Sequence, residues 1–492
     1  MNNQANNTAG EEATKSGERN YDAPNPKGLA EFMSQGWAPS PLKGIAAHPV
    51  CNYAAARRRE LSKKYPGVRL VIPSGGYKVR SNDTDFPFRP HASFAYLTGI
   101  VAEDALPDSV LVMEPNNSST GLAHDAYLFV HPRQSRETEQ FYRNARHGEF
   151  WIGRRMTVEE TQIKYGIATK PLAELLNFVK DDREAIILRG EDAECDGIFE
   201  VRKKKEEEFA ITLSEMRLIK DEYEIAQLQF AIDATNRGFA DMVRALPAAT
   251  SRTRGERILE GAFFGRARLE GNDLGYSSII ASGSHACILH WTKNNGDVIP
   301  GDLVLIDAGV EAESYYTADI TRTLPINGKF SPEQRRIYSL VYEAQKAGFE
   351  ACKPGNKFSD VNKAAQAVLA RGLYELGVLP VSAEESLTPE SGLHKRWSVH
   401  GTSHMLGIDV HDCAQARKEN YAEGIIQEGM VFTVEPGLYI HPDDLLFPAE
   451  YRGIGVRIED DVLITADGCK VLSGDLPSHP DEVEVWMSNL LR

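Results

Sequence analysis

The chain has 492 residues, 42% apolar and 9% aromatic, which is too long for one compact core and suggests two or three domains at about 100–200 residues each, two being the reading adopted. Its net charge of −16 excludes a nucleic-acid partner, because phosphate backbones are bound by a concentrated basic footprint that this chain lacks. Six scattered cysteines without a C-x-x-C pair exclude a disulfide framework and read as free thiols of a reducing compartment.

Residues 1–27 are rich in Asn, Gly, Glu and Lys with almost no aliphatic side chains and are expected to form a flexible tail. They contain no apolar signal core, and no later stretch approaches 18 uninterrupted apolar residues. A cytoplasmic protein without membrane association is therefore expected. From about 66 to 200, the runs VRLVIPSG, SFAYLTGI, SVLVMEP, AYLFVHP and AIILRG read as strands that alternate with helix-like segments such as PLAELLNFVKDD, which predicts an N-terminal α/β domain over 28–213. VRKKKEEEF at 201–209 reads as a solvated charge run or linker. The stretch from Ser214 to Val243 has a 3.6-residue period, with Ile225, Leu228, Ile232 and Phe239 near one face, and opens a second domain over 214–492 as one long helix.

Further along, Ser331-Pro332-Glu333-Gln334 is a helix start, with a capping serine, proline at the first helical position and Gln334 placed for a capping box. That helix should run to about Cys352, and a second should end at a left-handed cap on Gly377. Strands fit DLVLIDAGV, GMVFTVEPGLYI and VRIEDDVLIT.

These strands carry the chemistry. Asp307 ends one apolar run, Asp319 follows twelve residues later, and Glu435 and Glu459 sit among Val, Phe, Leu and Ile. A buried carboxylate is costly unless paired or bound to a cation. A purely structural reading pairs the four acids with Arg322, Arg452 and Arg457. The chemical reading adds an imidazole from HGTSHMLGIDVHD at 400–412, where three of the chain's thirteen histidines crowd. Four carboxylates and one imidazole make a hard-donor site suited to Mn(II) or a similar divalent ion, and two bridged ions balance that charge better than one.

In this order, His290 in CILHW, Asp307 in LIDAG, Asp319 in ADITR, HGTSHMLGIDVHD, TVEPG and YRGIGVRIEDD resemble the metal-dependent pita-bread peptidases, most closely the aminopeptidase P family. FAYLTG and FWIGRR are similar to segments of that family's N-terminal domain. The resemblance implies an α/β (α+β) protein whose N-terminal domain is of the creatinase/prolidase type and whose C-terminal pita-bread domain has pseudo-two-fold halves. It implies Asp307, Asp319, His404, Glu435 and Glu459 as ligands of two divalent ions, most simply Mn2+, with Asp319 and Glu459 bridging. His290, His400 and His411 would line the substrate site, and Arg457 would stand behind the ligands. The Asp307–Asp319 interval is one residue longer than the family's pattern, so a longer turn is expected in GVEAESYYT.

The activity so implied is an Xaa-Pro aminopeptidase. A metal-activated hydroxide attacks the bond before proline, Glu435 takes the proton, His411 steadies the oxyanion, and His400 and His290 shape the proline side. A prolidase, cleaving only dipeptides, is the alternative, and Arg417 is then the nearest candidate for holding the free carboxylate. A catalytically inactive pita-bread binding protein is a third reading, opposed by the intact ligand set. The partners implied are peptides with proline in the second position and further copies of the chain, as a dimer or tetramer.

Overall fold

The computed structural model describes residues 26–116 and 124–492; the expected tail falls outside them up to position 25. The chain divides into two compact units, the first ending at Glu206 and the second spanning Glu207–Arg492.

The first unit is built on helix α1 (Cys51–Lys64), strand β1 (Arg69–Pro73), helix α2 (Ala92–Thr98), and strands β2 (Val110–Pro115), β3 (His124–Val130), β4 (Ala168–Pro171) and β5 (Ala185–Ile187). The five strands form one mixed sheet in the order β4-β3-β2-β1-β5, antiparallel across β3-β2-β1 and parallel at both edges. SFAYLTGI, expected as a strand, is helix α2 instead. His91 accepts from the Ser93 N–H at its start, and Gly99 closes it in the left-handed region at φ 75°. Arg57 and Arg58 of α1 donate to the carbonyls of Tyr96 and Leu97, satisfying the last-turn acceptors that a short helix leaves open.

Helix α3 (Lys203–Glu215) contains the charge run expected to be a linker. The run is not simply solvated: Glu206 is buried against Arg189, and Phe209 is fully buried. The expected continuous helix from Ser214 is also interrupted. Helix α4 (Glu222–Thr250) starts afresh on an Asp221/Glu224 capping box, because the intervening turn directs Arg217 onto the buried Asp412 carboxylate, with Lys220 beside it.

The second unit repeats a helix pair and a sheet. Helices α4 and α5 (Gly255–Glu270) accompany strands β6 (Ile279–Ser282), β7 (Leu303–Ala308) and β8 (Ile320–Pro325), which form an antiparallel sheet with β7 in the centre. Helices α6 (Pro332–Ala351) and α7 (Phe358–Glu375) accompany strands β9 (Val431–Val434), β10 (Gly437–Tyr439), β11 (Gly455–Arg457), β12 (Asp460–Ile464) and β13 (Cys469–Val471). Here β9-β12-β13 make one sheet and β10-β11 a second. α6 begins on the expected Ser331/Gln334 capping box and ends at Cys352, and Gly377 follows α7 at φ 73°.

GMVFTVEPGLYI and VRIEDDVLIT are thus not single strands. Pro436 has no N–H for a ladder, so the first breaks after Val434, and the second breaks at Ile458-Glu459. Thr321 of β8 forms an isolated bridge with Glu459 in the break between β11 and β12. Glu435 and Glu459 stand in these breaks, where the side chain is freed from strict alternation.

Gly238 marks the closest approach within the α4–α5 pair: a Cβ there would lie 2.6 Å from the ring of the fully buried Phe263. Gly238→Ala is expected to lower stability by about 1–3 kcal/mol through overpacking. Gly261→Ala, on an exposed stretch of α5 with nothing within 4 Å, is expected to raise it by about 0.5–1 kcal/mol. Urea unfolding of both variants measures the pair.

Candidate metal centre

A cavity of about 830 Å³ in the second unit is lined by Asp307, Asp319, His404, Glu435 and Glu459, and also by His290, His400, His411, Arg457 and Tyr276. Folding therefore gathers every candidate ligand and substrate-site residue named from the sequence except one. Arg417 lies apart, its guanidinium paired with Glu215 at 2.8 Å and with Glu208. Outside that lining its guanidinium is engaged in ion pairs through Nη1 and Nη2.

Each ligand candidate is delivered by a different device. Asp307 belongs to the central strand β7, and Asp319 immediately precedes β8. Between them Tyr315 adopts a left-handed φ of 67°, and Ala312 and Tyr316 close the turn. The histidine segment forms no regular element, yet it runs beside β9. Leu406 N–H donates to Val431 O, Thr433 N–H to His404 O, and Glu435 N–H to Thr402 O. This pairing explains the crowding of histidines at 400–412, because it sets them alongside the strand that ends at Glu435. Asp412 then locks the loop through Arg217 at 2.9 Å. Gly407 is required there, since a Cβ would meet the Asp412 carboxylate at 2.1 Å.

Arginines do not neutralise the four acids as a group. Arg322 serves Asp460 and the carbonyls of Thr321, Glu459, Leu476 and Pro477, and Arg452 donates to Phe447 O. Only Arg457 reaches the group. Its Nη2 donates to Asp307 at 2.6 Å, its Nη1 to Tyr439 OH at 2.9 Å, and its Nε to Thr321 Oγ1 at 3.2 Å. Thr321 in turn donates to Glu459 at 2.6 Å. One guanidinium thus orients two carboxylates and leaves the others unneutralised.

The electrostatic consequence is strong. Burial raises Asp307, with Arg457 opposing. Burial raises Glu459 far above the carboxylate range, reinforced by Asp319 and Glu435. Burial also lifts Glu435 to about 7. His404 responds oppositely: burial works to lower it, but the hydrogen bond to Asp319 and the charge of Glu435 hold it at about 9. Its Nε2 lies 3.2 Å from Asp319 and 3.5 Å from Glu435. Its Nδ1 faces the Met405 carbonyl at 3.2 Å, which fixes the ring so that Nε2 is the atom offered inward.

Such a group fits divalent cations. Donor atoms of Asp319, His404 and Glu459 lie within 4.8 Å of one another, and all are hard oxygens but one. A second group in the first unit, Asp108, His131 and His147, is compromised by Arg155, which approaches His147 Nδ1 at 2.7 Å.

Three contributors carried no sequence signal. Tyr276 places its hydroxyl 2.6 Å from both Asp307 and Asp319. Tyr439 links Arg457 to His400 Nε2 at 2.7 Å, while His400 Nδ1 faces Gly401 O at 2.7 Å. Burial, aided by Arg457, lowers His400 to about 4, so its ring is neutral at pH 7. Thr321 is the third. A tyrosine or threonine in an apolar run reads as ordinary strand chemistry, and only the tertiary approach reveals these roles.

Comparison with known proteins agrees with this geometry. Residues 226–466 match the model of metallopeptidase family M24, and residues 54–185 match that of the aminopeptidase P N-terminal domain. Xaa-Pro aminopeptidase 1 of Streptomyces coelicolor is 50% identical over 465 residues, covering 94% of this chain and 92% of its own. The chain belongs to the aminopeptidase P family. The family's Escherichia coli member, Xaa-Pro aminopeptidase, is 33% identical over 88% of this chain and 96% of its own. A solved structure of zinc-substituted E. coli aminopeptidase P in complex with product superposes with a TM-score of 0.78 at 31% identity, covering 90% of this chain and 99% of that one. Family membership makes the chain a metal-dependent hydrolase with an N-terminal domain followed by a pita-bread domain.

Metal affinity is expected to depend steeply on pH. In the metal-free protein His404 is protonated below about 9 and Glu435 below about 7, and a cation must displace those protons. Affinity should therefore rise with pH through 7 to 9, and calorimetric titration at pH 7 in buffers of different ionisation enthalpy should register proton release. Flat affinity across that range would contradict the arrangement.

Proposed function

We propose that this chain is an Xaa-Pro aminopeptidase that removes the first residue from peptides with proline in the second position. The observation that carries the proposal is the cavity in which four carboxylates and His404 converge around one guanidinium. Asp307, Asp319, His404, Glu435 and Glu459 would hold two divalent ions, and their hard donor set favours Mn2+. Such ions supply Lewis acidity and acidify a water molecule.

The chain's own groups do the remaining work. Glu435, facing the cavity 3.5 Å from His404, would accept a proton and return it to the leaving nitrogen. His411 packs edge-on against His404, with ring centroids 4.4 Å apart. Burial, with repulsion from His404, lowers its pKa, so it is a neutral N–H donor for the developing oxyanion. His400, neutral and fixed between Tyr439 and Gly401, and His290 at the rim would form the wall for the proline ring. Proline lacks an N–H and has a fixed φ, so that wall needs shape rather than a backbone acceptor.

The catalytic part would be residues 214–492, with 28–213 as its accompanying domain. Among the described residues no helix is long and apolar enough to cross a membrane. The proposal includes a cytoplasmic location, supported by six unpaired cysteines, and a homo-oligomer, dimer or tetramer, as the family resemblance implies. The relatives matched along nearly their whole length are named Xaa-Pro aminopeptidases, which favours this reading over a prolidase. The pairing of Arg417 with Glu208 and Glu215, outside the cavity lining, also supports it.

Activity on a tripeptide Xaa-Pro-Xaa should appear at the first bond, vanish on chelation and return with Mn2+, and the same peptide with alanine for proline should be a poor substrate. Rapid cleavage of Xaa-Pro dipeptides with none of Xaa-Pro-Xaa would establish the dipeptidase instead. His404→Ala should lose metal and activity together. His411→Ala should retain metal while turnover falls roughly 10²–10³-fold. Elemental analysis beside kinetics separates the two, and the reverse pattern would invert the assigned roles.

A further inference from the structure

The six cysteines are dispersed in sequence, yet folding sets two of them against each other. Cys352 caps the C-terminal end of α6, is fully buried, and donates its thiol to the Gly348 carbonyl at 3.2 Å. Cys469 opens β13, is half-buried, and directs its thiol to the next carbonyl of the same turn, Phe349 O, at 3.6 Å. Cys352 belongs to an apolar cluster with Val434, Val462 and Ile464, Cys469 packs against that cluster, and the two thiols meet adjacent carbonyls of one helical turn.

We propose that Cys469 and Cys352 form a peroxide-oxidation site, with Cys469 as the attacking thiol and Cys352 as the resolving thiol. The Cys469 thiolate attacks one oxygen of hydrogen peroxide, the O–O bond breaks, and a sulfenic acid and hydroxide result. The Cys352 sulfur then attacks the Cys469 sulfur, the S–O bond breaks, and water leaves with the Cys352 proton. Two thiols are oxidised by two electrons to one disulfide, and one peroxide is reduced to two waters overall.

The asymmetry of the pair assigns the order. Cys469 is reachable from solvent, whereas Cys352 is sealed in the cluster. Contact with Cys352 lowers the Cys469 thiol from its ordinary value, against the effect of burial and with help from Lys353. The same contact and burial raise the Cys352 thiol. A buried neighbour that captures a sulfenic acid prevents its further, irreversible oxidation. The turn so linked backs onto β9, the strand just before Glu435, since a Cβ on Gly348 would lie 2.7 Å from Val434.

The test uses the metal-loaded full chain, treated with a small molar excess of hydrogen peroxide, denatured in alkylating reagent and mapped by mass spectrometry. The expected result is a peptide pair crosslinked through Cys352 and Cys469, a thiol count lower by two, and reversal by dithiothreitol. In Cys352→Ser the crosslink should be absent and Cys469 should instead accumulate as sulfenic acid, trapped by dimedone, and then as sulfinic acid. Cys352→Ala serves the same purpose should serine disturb the cluster, with circular dichroism as the check on folding. A wild-type map in which both thiols stay alkylated, or in which Cys469 is sulfinic while Cys352 remains free, would overturn the proposal.

Discussion

The mutual repulsion of four carboxylates in one largely buried cavity is the constraint on which the rest of this structure depends. Desolvation alone would drive Asp307, Glu435 and Glu459 to hold protons, and a single arginine cannot neutralise the group. The fold tolerates the cost because three of the acids are fixed from behind: Asp307 by Arg457, Glu459 by Thr321, and Asp319 by Tyr276, while the Asp319 N–H reaches the buried Asp461 at 3.1 Å. A carboxylate held in that way is preorganised for a cation and loses little on binding one. Breaking one partner of a buried pair is costly, so Arg457, Thr321 and Tyr276 are as much part of the centre as the residues facing the cavity.

The same constraint accounts for the local architecture. β7 and β8 supply a rigid pair of aspartates, but two regular strands running through TVEPG and RIEDD would point Glu435 and Glu459 by strict alternation. Pro436 and the break at Ile458-Glu459 free both side chains, and an isolated bridge ties Glu459 to Thr321 of β8. The histidine segment follows β9 by three backbone hydrogen bonds without becoming a strand. Its loop is held instead by the buried Asp412–Arg217 pair, which links the segment to the turn between α3 and α4.

Much of this was legible in the sequence where chemistry conflicts with burial. Acids at 307, 319, 435 and 459 within apolar runs, and three histidines within 400–412, stood out because each is expensive without a purpose. The capping box at Ser331 and the stop at Gly377 were legible because they are local. What escaped depended on distant partners. SFAYLTGI has strand-like composition but becomes α2, because Arg57 and Arg58 cap its carbonyls. The interruption between α3 and α4 could not be read from periodicity, since Arg217 turns toward Asp412, far along the chain. Arg417 was legible as a charge near the site, but not as a partner of Glu208 and Glu215.

The central proposal is that this cavity holds a pair of divalent ions. Anomalous X-ray diffraction at the manganese edge from crystals of the Mn2+-loaded protein tests it most directly. Two peaks about 3.5–4 Å apart are expected among Asp307, Asp319, His404, Glu435 and Glu459. No anomalous density there, or density confined to the Asp108, His131 and His147 group, would contradict it.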